Sequence, residues 1–192
     1  MGKLAEIAVA ADLIAQARLG DAAACARLYE AVAPAAYGLI RRLVGVRAVA
    51  DDVFQETLMR VFEKLDEFRG EAPLGAWVRQ IAVSRCLMYL RSPWHRARLD
   101  LGARIDKPGE LDWPTAAAPS ADALDVERAL ATLTPTARAV VWLFEVEGYS
   151  HGEIAAAFGR SVSFSKSQLA RAHRRLRERL EPFGEREPCT PI

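Results

Sequence analysis

Residues 150–180 read SHGEIAAAFGRSVSFSKSQLARAHRRLRERL. Ser150 and Glu153 stand in the register of a capping box, in which each satisfies the other's backbone donor. A short apolar helix is expected to follow and to end at Phe158, with Gly159 suited to a left-handed turn. Arg160-Ser161 then opens a long helix. A capped short helix, a tight turn and a long helix form the helix-turn-helix pattern. Ile154, Ala155 and Phe158 are expected to face inward from the first helix, and Leu169, Ala172 and Leu176 from the second. His151 reads as an exposed first-turn residue.

The long helix is strongly cationic. From Arg160 to Leu180 there are seven Lys/Arg against one Glu, whereas the 192-residue chain has a net charge of only +1. Phosphates call for such a stripe, because neutralising them releases counterions and supplies much of the binding energy. The stripe is expected to carry Lys166, Arg171, Arg174, Arg175 and Arg177. Residues at the start of a recognition helix meet base edges first, which makes Ser163, Phe164, Lys166, Ser167 and Gln168 the candidate readers.

Charge is blocked elsewhere too. Val49–Glu67 holds six acids and two bases, and Arg69–Arg98 holds six Arg and one Glu. Asp122–Gly159 again holds six acids and two bases. Each half of the chain is therefore acidic first and basic later, and separate faces are expected to meet separate partners.

Working outward, apolar residues recur at helical spacing and no stretch alternates as a strand would. The N-terminal stretch MGKLAEIAVAADLIAQARLGD reads as a helix and not as a secretion signal, since Glu6 and Asp12 interrupt its apolar part. Gly20 closes this helix and Asp21 caps the next, over about residues 22–44. Another helix is expected over about 48–65. DEFRGEAP is a loop, and Pro73 suits the first turn of a helix running to about Arg91. Trp77 reads as core, beside Val78 and Ile81. Residues 96–120 are rich in Pro, Gly and Ala and read as a linker, long for an internal loop. Helices follow from about 121 to 132 and, capped by Thr134 with Pro135 in the first turn, from there to about Glu147. The fold class is all-α, with two small helical domains joined by a flexible linker.

No apolar run approaches the roughly 20 residues that span a bilayer. Cys25, Cys86 and Cys189 are dispersed, so neither a disulfide framework nor a zinc site is expected, and a reducing cytoplasmic compartment fits. Asp51, Asp52 and Glu56 lack the further ligands a metal needs. No nucleophile elbow, phosphate loop or triad appears. Neither catalysis nor a cofactor is expected.

Two long segments carry a family resemblance. LTPTARAVVWLFEVEGYSHGEIAAAFGRSVSFSKSQLARAHRRLRERL resembles the −35-reading domain of bacterial sigma-70-type factors, in particular the extracytoplasmic-function (ECF) group. ADDVFQETLMRVFEKLDEFRGEAPLGAWVRQIAVSRCLMYLR resembles that group's −10-reading domain. The most specific fragments are DDVFQET, LDEFRGEAP followed by Trp77, EGYSHGEIAAAFG and KSQLARA.

The resemblance implies residues 1–95 as a −10-reading and polymerase-binding domain and 96–120 as the linker. It implies 121–181 as the −35-reading domain and 182–192 as a tail. It implies core RNA polymerase, through the β′ clamp helices and the β flap, together with promoter DNA and an anti-sigma factor as partners. Asp52, Gln55, Glu56, Arg60 and Glu63 correspond to the surface that docks on the clamp helices. Arg69, Arg79, Ser84, Arg85, Met88, Tyr89 and Arg91 correspond to the part that opens and holds the −10 element, where Tyr89 suits stacking on an unpaired base. Ser163, Phe164, Lys166, Ser167, Gln168, Arg171, Arg174 and Arg175 correspond to the −35 reader.

The sequence also departs from the family's habits. Ser84 replaces a common Asn, Phe164-Ser165 replaces a typical Thr-Val pair, and Gln168 replaces an Arg. An aromatic at a DNA-facing position and a hydroxyl at a core one imply either a rotated recognition helix or a Phe164 that meets a thymine methyl. The rival reading, an operator-binding regulator, predicts a dimerisation or ligand domain in the first 95 residues, where the sigma pattern stands instead.

Overall fold

A computed structural model describes residues 4–92, 126 and 128–180. The linker, Trp94-His95, the first residues of the helix expected from 121 and the tail with Cys189 lie outside the described residues. The chain divides into two compact units, Met1–Ile105 and Asp106–Ile192. Among the described residues every regular element is helical.

The first unit is built on α1 (Ala11–Arg18), α2 (Ala22–Val44), α3 (Arg47–Glu63) and α4 (Leu74–Arg91). α2 begins where its cap dictates: the Asp21 carboxylate accepts from the amide of Ala24 at 2.7 Å, which satisfies one orphan donor of the first turn. α2, α3 and α4 pack on one another. Ile40, Leu43, Val44, Val78, Ala82 and Leu87 form the buried centre. α3 stops at Glu63, and a 3₁₀ turn, Leu65–Glu67, takes the last residues of the helix expected to reach 65. Pro73 occupies the cap of α4 rather than its first turn.

The N-terminal segment departs from the expected single helix. It forms a 3₁₀ turn at Leu4–Glu6 and irregular chain before α1. The reason is tertiary. The amide of Gly75 donates to the carbonyl of Ile7 at 2.9 Å, so the segment straps the start of α4. A Cβ on Gly75 would stand 1.8 Å from the carbonyl oxygen of Leu4; only glycine permits this approach.

The second unit holds α5 (Pro135–Val141), α6 (His151–Phe158) and α7 (Val162–Leu180). The Thr134 hydroxyl accepts from Ala137 N at 3.3 Å, and Pro135 follows it. The helix expected to run to Glu147 instead changes to a π turn over Trp142–Val146. Such turns are rare and aim side chains that an α-helix would place elsewhere. Here Leu143 is buried, Phe144 reaches His151, and Glu145 reaches His173 at 3.0 Å. α6 carries the full capping box: Ser150 N donates to Glu153 Oε2 at 2.8 Å, and Glu153 N donates to Ser150 Oγ at 3.2 Å. Gly159 closes α6 at φ 61°, the left-handed region.

Candidate nucleic-acid interface

On α3, Asp52, Gln55, Glu56 and Glu63 are exposed, and Arg60 is half-buried with an ion pair to Glu63 at 3.2 Å. Residues three, four and seven apart share a helix face. Met59 falls on this face, 64 % exposed among charged and amide neighbours. Met59 is not among the residues expected on this face, although its spacing from Asp52 and Gln55 is a signal the sequence carries. On the α2 side of α3, the Tyr37 hydroxyl donates to the Asp51 carboxylate at 2.7 Å, and Phe54 meets the rings of Tyr29 and Tyr37 edge-on. Burial, then the Asp51 hydrogen bond and charge, push the Tyr37 phenol above its ordinary pKa.

α4 lies against the other side of α3 and presents Ser84 and Met88 exposed, with Arg85 and Tyr89 half-buried. Arg85 approaches Glu56 at 3.9 Å. Two grooves result. One, of about 470 Å³, is lined by Arg60 and Lys64 from the α3 side and Trp77, Ser84, Arg85 and Met88 from α4. The other, of about 260 Å³, is lined by Asp52 and Glu56 from α3 and Arg85, Met88, Tyr89 and Ser92 from the α4 side. Residues assigned from sequence to two different partners therefore share walls.

Trp77 is half-buried rather than core; it packs on Phe68 at 5.5 Å between ring centres and lines the larger groove. Arg69 stands exposed on the preceding loop, Arg79 is half-buried, and Arg91 is exposed in the last turn of α4; none of the three lines either groove.

On α7, Ser163, Lys166, Ser167, Arg171, Arg174 and Arg175 are exposed, and Gln168 is half-buried. Arg171 Nε donates to the Ser167 carbonyl at 3.1 Å. Behind them Ser165, Leu169 and Ala172 form a buried stripe, with Leu176 half-buried at its end. Positions 165, 169 and 172 follow the helical repeat, so α7 is not rotated to bring Phe164 into the stripe. Phe164 is half-buried against Phe158, 5.7 Å between ring centres.

Ser165 is fully buried, and its hydroxyl lies 3.0 Å from His151 Nδ1. His151 is thus not the exposed residue its position suggested. It is half-buried, and its ring stacks on Phe144 at 4.4 Å and 20°. The contact could not be read locally, because it joins three elements.

Among the described residues no group of three or more His, Cys, Asp or Glu could hold a metal. No described helix is long and apolar enough to cross a membrane.

Two acidic-then-basic helical units, the second a helix-turn-helix, define a class of DNA-directed factors. Residues 28–96 match the Sigma-70 region 2 family and residues 123–176 match Sigma-70, region 4. ECF RNA polymerase sigma factor SigM of Mycobacterium tuberculosis (strain ATCC 25618 / H37Rv) is 31% identical over 168 residues, 86% of this chain and 82% of the relative. SigL of the same strain is 32% identical over 174 residues, 89% of this chain and 97% of the relative. Among solved structures, the sigma factor RpoE of Bartonella quintana, crystallised with the anti-sigma factor NepR, superposes with a TM-score of 0.54. It is 26% identical, covering 81% of this chain and 96% of that one. The chain belongs to the ECF RNA polymerase sigma factors of the Sigma-70 family. As such it is a transcription initiation factor, which binds core RNA polymerase and directs it to promoters.

Proposed function

We propose that the work is divided among three surfaces. The α3 face, with Asp52, Gln55, Glu56, Met59, Arg60 and Glu63, docks on the β′ clamp helices of the polymerase. Its acidic and amide groups suit a basic helix, and Met59 supplies the apolar contact that such a patch otherwise lacks. The loop with Arg69 and helix α4 approach the −10 element. Arg79, Arg85 and Arg91 meet phosphates, while Ser84, Met88 and Tyr89 hold unpaired bases beside the α3–α4 grooves. The second unit engages the β flap and lays α7 in the major groove of the −35 element. There Ser163, Phe164, Lys166, Ser167 and Gln168 read bases, and Arg171, Arg174 and Arg175 neutralise backbone charge.

Residues 1–95 and 121–181 act as two modules and 96–120 as their tether. Each promoter contact is weak by itself, and tethering makes the second contact intramolecular. Initiation then requires both elements at a fitting separation. The factor performs no bond chemistry itself; the polymerase does. Its place is the bacterial cytoplasm, with polymerase and DNA. Because Bartonella RpoE is bound by an anti-sigma factor, we place this chain under the same kind of control, held inactive by a protein that covers these surfaces.

The observation that carries this reading is α7, which exposes Ser163, Lys166, Ser167, Arg171, Arg174 and Arg175 while Ser165, Leu169 and Ala172 are buried. The experiment is run-off transcription with core polymerase and a genomic fragment library. Starts confined to fragments sharing two spaced elements are expected. Starts no different from those of core polymerase alone would sink it.

A further inference from the structure

A helix that reads DNA must present the correct face, and a turn of one residue about its axis is about 100°. In the first turn of α7 two neighbours compete for the interior. Phe164 is large and apolar; Ser165 is small and polar. Burial of apolar area would favour Phe164 inside. The structure has the reverse: Ser165 is 0 % exposed, while Phe164 stays half out against Phe158. Leu169 and Ala172 draw this face of α7 inward, but in its first turn something other than apolar burial must hold position 165.

The geometry supplies it. Ser165 Oγ stands 3.0 Å from His151 Nδ1. The imidazole is itself held from two sides. Its backbone follows the Ser150–Glu153 capping box, and its ring stacks on Phe144 of the π turn at 4.4 Å. A hydrogen bond has direction where apolar contact does not, and a buried hydroxyl that lost its partner would be left unsatisfied. Single buried polar groups fix register in the same way in other helical assemblies.

We propose that His151 is a positioning residue for promoter reading: by holding the Ser165 hydroxyl it sets the rotation of α7, and so decides which side chains of that helix meet the −35 bases. Ser163, Lys166 and Ser167, all exposed, face outward while Ser165, in register with Leu169 and Ala172, is held inward. The inference rests on the proposed reading role of α7 and extends it to a residue that touches no DNA.

The test uses the full chain with core polymerase, on a promoter recovered with the wild-type holoenzyme and on single-base variants of its −35 element. His151→Phe keeps a ring for Phe144 and removes the bond. It is expected to reduce discrimination among −35 variants about tenfold, the scale of one good base contact, with affinity for core polymerase unchanged. Adding Ser165→Val to His151→Phe is expected to restore discrimination, because the larger apolar side chain of Val gains enough burial to be held inward without a partner, which the single methyl of Ala does not. Ser165→Ala removes the bond with little change in bulk and is expected to repeat the loss, which covers a His151→Phe chain that fails to fold. A folded His151→Phe or Ser165→Ala chain that discriminates as wild type does would overturn the proposal. So would a double variant no better than His151→Phe. A role in stability alone would lower the melting temperature yet leave discrimination intact in the folded protein. A wild-type holoenzyme without promoter-specific starts would instead sink the functional reading beneath it.

Discussion

Arg18 Nε donates to the carbonyl of Leu65 at 3.1 Å, across 47 residues of chain. The same guanidinium donates to the carbonyl of Phe68 and lies 4.0 Å from the Asp66 carboxylate. The last turn of α1 thus holds the turn that leads to Arg69 and α4. Arg18→Ala removes two charge-assisted hydrogen bonds and is expected to lower stability by about 1–3 kcal/mol. The urea midpoint should fall with an unchanged slope. On a recovered promoter, permanganate reactivity of −10 thymines should fall as well, since the loop is no longer held.

Gly75 is the contact point of the N-terminal strap. Gly75→Ala puts a methyl group where the Leu4 carbonyl lies, at 1.8 Å, and is expected to cost about 1–3 kcal/mol, as overpacking does. The strap must move for the methyl to fit. Deleting the residues before Ala8 should therefore remove most of the added cost of Gly75→Ala. Full additivity of the two changes in denaturation would contradict this account.

Cys86 is 0 % exposed on α4, and burial pushes its thiol pKa well above the ordinary value. The folded state therefore keeps a proton that the unfolded state releases above about pH 8.5. The stabilisation is complete below that pH and is lost as pH rises towards the folded pKa. The slope attributable to this thiol is about −1.4 kcal/mol per pH unit. Cys86→Ala should flatten the alkaline fall in stability by that amount. In the native chain Cys86 should resist thiol reagents that label it in urea.

Arg171 is exposed on α7 with its guanidinium braced on the Ser167 carbonyl. If it meets a phosphate, Arg171→Ala should weaken holoenzyme binding to all −35 sequences about equally. It should also reduce the salt dependence of log K by about 1. Phe164→Ala should leave that dependence unchanged and alter sequence preference instead.

Met59→Ala should weaken association with core polymerase about fivefold or more, the threshold effect of a contributing interface residue. It should leave the folding midpoint within about 0.5 kcal/mol, because the side chain is 64 % exposed and exposed substitutions seldom matter more. Unchanged affinity in a direct binding measurement would remove Met59 from the docking face.

Much of the fold is legible in local stretches of the chain. Asp21 and the segment after it mark α2 over the residues observed, Ala22–Val44. Ser150, Glu153 and Gly159 mark α6 at both ends, and the Ile154–Phe158 and Leu169–Ala172 faces point inward as their spacing predicts. Caps, turns and amphipathic stripes depend on neighbours within about four residues, so the sequence states them directly. The readings that failed depended on partners far along the chain. Residues 4–10 are no continuous helix, because Gly75 receives them as a strap. Trp77 is no core residue, because the α3–α4 groove opens beside it.

The sequence by itself determined the helical elements, their polarity and the blocks of charge, since propensity, capping and ionisation are local properties of residue types. Only the tertiary structure decided that Glu56 and Arg85 share a groove, that Arg18 holds the loop before α4, and that Ser165 rather than Phe164 turns inward. Each of those outcomes joins residues on different elements. Apolar burial has no direction and leaves such choices open; a hydrogen bond between packed elements has direction and closes them.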